Sequence, residues 1–176
     1  MEHKTIRAVV SHLVSQLLAI VSLRAGPQIL PASQPLLLVL LGLDLLLSVA
    51  VLATGHGVGA ALLTVASSLG LGLLFCHLAL QLRGLGNRFL QTATALIGSD
   101  LVITLVAAPL SLVVLQQLDS LGSEQLAPEL VLGLLTVTAW LLAVVGGIFR
   151  HALDLPWPAA LAVSLAYVIV TAGISL

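Results

Sequence analysis

Two carboxylates stand where this chain can least accommodate them. Asp44 lies near the middle of an apolar run from Leu36 to Thr54, and Asp100 near the middle of another from Phe89 to Gln117. An ionised aspartate at such a position costs roughly 2.5–3.5 kcal/mol on membrane-insertion scales. Counted from the same end of their runs the two lie at similar depth, so they can face each other. Two facing carboxyls are the arrangement that a proton relay or an ion site uses. The plainer alternative is that each aspartate hydrogen-bonds a neighbouring helix or a partner subunit and fixes packing. Hydroxyls that can bond to them come from Thr64, Ser67 and Ser68 in one run and from Ser99 and Thr104 in another. Such groups are also ordinary packing devices inside spans, worth about 0.6 kcal/mol each.

The remaining candidates are weaker. His77 follows Cys76 directly, so the two do not share a helix face and do not read as a metal pair. Cys76 reads as a small buried hydrophobe, His77 as an interfacial residue, and His12, His56 and His151 as surface residues. Gly84 and Gly86 are too few, and lack the strand and the Lys-Ser/Thr context, for a phosphate loop. Together with Arg83, Asn87 and Arg88 they form a basic turn suited to lipid phosphates or an acidic partner surface, and Arg150 sits in a similar loop. There is no Gly-x-Ser-x-Gly, no His-Glu-x-x-His and no Ser/His/Asp set at a shared depth. The expectation is a protein without enzymatic activity, cofactor or metal.

The elements that hold these residues follow from composition. Apolar residues make up 60% of the 176 and charged residues 7%, against about a quarter charged in a soluble domain. So few charges cannot cover a water-facing surface, whereas a lipid-facing one needs none. A net charge of −1 offers no basic face for nucleic acid. The class is all-α, a polytopic integral membrane protein.

Along the chain, Ile6, Val9, Val10, Leu13, Leu17, Ile20 and Val21 follow helical spacing, with Ser11, His12, Ser15 and Ser22 opposite. Residues 1–26 therefore read as an amphipathic helix lying in the membrane interface, with a full span of residues 5–23 as the rival reading, its weakly basic start retained rather than cleaved. Five spans are expected within residues 35–176, at about 36–54, 58–82, 89–117, 128–149 and 157–176. Pro35 and Pro128 suit first helical turns, and Pro109 should kink the third span at Leu105. Small residues four apart (Ala66/Gly70, Ser68/Gly72, Thr94/Gly98, Ala143/Gly147) permit close helix approach. With residues 5–23 lying flat, Lys4, Arg7, Arg24, Arg83, Arg88 and Arg150 all fall on one side, while Asp119, Glu124 and Glu129 fall on the other. The positive-inside rule then puts the N-terminus in the cytoplasm and the C-terminus outside, in a bacterial inner membrane.

The junction Gly84-Leu85-Gly86-Asn87-Arg88-Phe89-Leu90-Gln91-Thr92, followed by Trp140, Phe149-Arg150-His151-Ala152-Leu153 and a short final span, resembles bacterial members of the Yip family. These are five-span relatives of the Rab/Ypt-GTPase-interacting membrane proteins. The resemblance covers residues 35–176 and implies a compact helical module acting by contact with other membrane proteins or by shaping the bilayer. The Asp-Leu-Tyr-Gly-Pro signature of the eukaryotic members is absent, so GTPase contact is not implied. The resulting expectation is an inner-membrane subunit or scaffold that contacts lipids and other integral proteins or its own copies. The alternative is a small transporter or proton-linked channel component built on Asp44 and Asp100.

Overall fold

The computed structural model describes the backbone of residues 2–121 and 127–173 and the side chains of residues 10–55, 57–118 and 127–173. Glu124, residues 174–176 of the expected last span, and the side chains of Lys4, Arg7, His56 and Asp119 lie outside the described set. Among the described residues six α-helices follow one another: α1 (Glu2–Val21), α2 (Gln34–His56), α3 (Val58–Leu82), α4 (Phe89–Leu121), α5 (Pro128–Ala152) and α6 (Trp157–Ala172). No strand occurs among the described residues. α2 to α5 are long and apolar enough to cross a membrane, and α6 and the second half of α1 are shorter apolar helices. The protein is an all-α polytopic membrane protein.

The boundaries follow local chemistry. Ser33 accepts a bond from the Leu36 amide at 3.4 Å and Pro35 occupies the first turn of α2, so orphan amides are capped or absent. A single residue, Gly57, connects α2 to α3 at φ +76°, a conformation that excludes most side chains. At the ends of α1, α3 and α5 the chain turns through a left-handed residue, Leu23, Gly84 and Asp154 respectively. In each case the next amide bonds back to a carbonyl five residues earlier, as in Leu85 N–H to Leu80 O at 2.8 Å. α4 continues unbroken through Pro109, which lies on an exposed face.

α2 packs against α3 and α4, α3 against α6, α6 against α5, and α5 against α4. These contacts close five helices into a ring. Lipid tails are as apolar as leucine, so a membrane bundle is held by close van der Waals fit rather than by water exclusion. That fit is concentrated in one half. All α4 residues from 92 to 99 and all α5 residues from 144 to 149 are buried. This half ends at the loops carrying Arg24, Arg83, Arg88 and Arg150, called here the arginine end.

α1 keeps its expected amphipathic pattern but not its expected setting. Leu17, Ile20 and Val21 are buried while Ser11, His12, Ser15 and Ser22 are exposed. The buried stripe meets α4 and α5 instead of lying apart from the bundle. Gly26 abuts His151, Leu23 approaches Gly147, and Leu17 fills the space over Gly98 beside Leu40. The Trp140 indole donates to the Val21 carbonyl at 3.1 Å. This ordered register sets α1 alongside its neighbours, leading away from the arginine end. A hydrophobic stripe needs only an apolar partner, and Gly98 and Gly147 supply grooves that the bilayer surface would otherwise replace.

Candidate functional site

In the other half of the ring the packing opens into a cavity of about 380 Å³. α2 contributes Asp44 and Ser48, four residues apart and therefore on one face. α3 contributes Thr64 and Ser68 at the same spacing, and α4 contributes Asp100, Thr104 and Ser111. Val51, Leu52, Val65, Leu69, Val114, Leu115 and Leu134 complete the wall. Asp44 and Asp100 thus share one cavity.

Their environments differ. Asp44 is 0% exposed, and neither of its carboxylate oxygens has a hydrogen-bond partner among the described residues. Asp100 is partly exposed within the cavity. Buried polar groups are almost always bonded, and an unpaired buried acid is costly. The cavity therefore holds an unsatisfied acceptor among neutral hydroxyls.

Toward the α2–α3 turn the lining residues Ser48, Thr64, Ser111 and Leu115 are partly exposed. Toward the arginine end the ring is closed. Phe75, Phe149 and Tyr167, from α3, α5 and α6, meet edge-to-face with centroids 5.7–5.9 Å apart. Gly72 makes this closure possible, because a Cβ there would lie 2.8 Å from the Tyr167 hydroxyl.

Of the intramembrane residues expected to act together, the structure gathers Asp44, Asp100 and Ser68. Ser67 is exposed on the outside of α3, about 100° around the helix from Ser68. Ser99 is 1% exposed, but it does not line the cavity and its hydroxyl has no partner among the described residues. Ser48 and Ser111 join the site without having been singled out. Their signal is spacing, since Ser48 is one turn from Asp44 and Ser111 is three turns from Asp100.

At the arginine end the cations are engaged in structure. Arg88 donates to the carboxylate of Asp154 at 2.9 Å and to the carbonyls of Ala152 at 3.1 Å and His151 at 3.4 Å. Arg83 donates to the carbonyl of Leu153 at 3.1 Å, and Arg150 lies 5.1 Å from the Trp157 ring centre. Cations here complement the negative end of α5 and satisfy its last carbonyls. A second cavity, of about 500 Å³, lies against this cluster between Gln28, Gln91, Arg150 and His151. Further along, His77 is exposed, stacks edge-on against Phe89 at 5.3 Å, and pairs with Gln81 at 3.2 Å. Cys76 beside it is fully buried. Among the described residues, no three His, Cys, Asp or Glu side chains gather as a metal set.

Comparison with protein-family models, with curated proteins and with solved structures finds no match.

Proposed function

We propose that this chain is a non-enzymatic inner-membrane protein that takes part in cation- or proton-linked transport through the cavity of Asp44 and Asp100. The observation that carries the reading is Asp44: fully buried, unpartnered at both oxygens, and sharing one cavity with a second carboxyl. A carboxyl placed to grip a neighbouring helix would be expected to have found its partner. These two instead face an interior space. In this reading the loops of Arg24, Arg83, Arg88 and Arg150 face the cytoplasm, following the positive-inside rule, in the inner membrane of a bacterium. The test is flux in proteoliposomes of purified protein. Asp44→Asn and Asp100→Asn should each abolish flux while the protein remains inserted and folded. Full flux in both variants would sink the proposal.

A second reading, an assembly subunit of the Yip-like kind, is favoured by a different surface. Ala66, Ser67 and Gly70 lie exposed on the outer face of α3, and a Cβ at Gly70 would meet nothing within 4 Å. Small residues at this spacing let a helix from another integral protein or a second copy approach closely. Here Gly70→Leu should abolish stoichiometric co-purification after gentle detergent extraction and leave flux intact. A partner retained by Gly70→Leu would count against this surface.

A further inference from the structure

We infer that the Asp44–Asp100 cavity binds a hard monovalent cation of the sodium class, admitted from the end opposite the arginine loops. The inference deepens the transport reading and rests on it. Every polar group lining the cavity offers oxygen: the two carboxyls and the hydroxyls of Ser48, Thr64, Ser68, Thr104 and Ser111. Oxygen-only donor sets select hard cations, whereas soft or transition metals call for imidazole or thiolate. No third acid, histidine or cysteine joins the two carboxyls in a metal set among the described residues. Most of the donor side chains are therefore neutral, which matches a singly charged ion better than calcium, whose sites collect several carboxylates and about 6–8 oxygens.

Asp44 supplies the second, independent pointer. Its two oxygens are completely buried in the cavity wall without a partner, as a preformed ligand for a cation would be. The partly exposed lining residues Ser48, Thr64, Ser111 and Leu115 carry the cavity toward the α2–α3 turn, while Phe75, Phe149 and Tyr167 pack together on the arginine side. That asymmetry points to entry from the turn end.

Two measurements on the full-length protein test this. Native protein in proteoliposomes should bind radiolabelled sodium saturably, and Asp44→Asn and Asp100→Asn should weaken that binding by at least about tenfold. Ser111→Cys in a Cys76→Ser background should react with an impermeant maleimide only from the side opposite Asn87, and sodium should slow the reaction. This variant keeps both aspartates, so it decides the matter even where the asparagine variants fail to insert. No protection by sodium, or protection by calcium but not sodium, would overturn the cation site, and labelling from the Asn87 side would overturn the assignment of entry. Flux that survives both asparagine substitutions removes the transport reading itself, and this inference with it. Flux lost in those variants while Ser111→Cys labels from the Asn87 side removes only the assignment of entry.

Discussion

Gly72 and Tyr167 show how narrowly single residues set the closure of the ring. A methyl group at position 72 would fall 2.8 Å from the Tyr167 hydroxyl and 3.4 Å from Thr171 Cγ2. Overpacking of this kind costs about 1–3 kcal/mol. Gly72→Ala should therefore lower the thermal unfolding midpoint in detergent, and adding Tyr167→Phe should recover part of the loss by removing the obstructing oxygen. A purely additive pair of effects would mean that the two residues do not compete for space. Residue identity also marks the limit of what the sequence can reveal. Asp44 and Asp100 stand out because charge in an apolar run is conspicuous whatever the fold. Ser67 and Ser68 are indistinguishable in sequence, since α3 is apolar nearly all round and its pattern does not say which face turns inward. Only the positions of α2 and α4 separate them.

At the level of elements, the helix boundaries were legible because Pro35, Gly57, Gly84 and Pro128 punctuate the apolar runs through their backbone chemistry. The setting of α1 was not. An amphipathic pattern records that one face is apolar, and both a bilayer surface and a groove over Gly98 satisfy it equally. The observed register, from Gly26 at His151 to Leu17 at Gly98, leads α1 away from the arginine end. At 1.5 Å per residue its 20 residues extend about 30 Å, enough to reach the opposite face. A cysteine replacing His3 in a Cys76→Ser background should accordingly be labelled from the same side as one replacing Ala172. Labelling from the side of Asn87 would place the first turns of α1 back at the interface, as its amphipathicity alone suggests.

Considered whole, the molecule is two unequal halves: a tightly packed one at the arginine end and an open one around the acidic cavity. Backbone amides exchange where water and local opening reach them. Hydrogen exchange in lipid nanodiscs should therefore be slow across residues 92–99 and 144–149 and faster across 45–55 and 58–68. Uniform exchange along α2 to α5 would contradict a water-reached cavity. The division has a further use, through the lone thiol. Cys76 is the chain's single cysteine and sits, fully enclosed, in the packed half close to Phe75. An excursion that loosens the packed half around α3 would uncover that sulfur. The native protein thus carries a built-in reporter, and the rate at which its thiol is alkylated would measure how often the closed half opens.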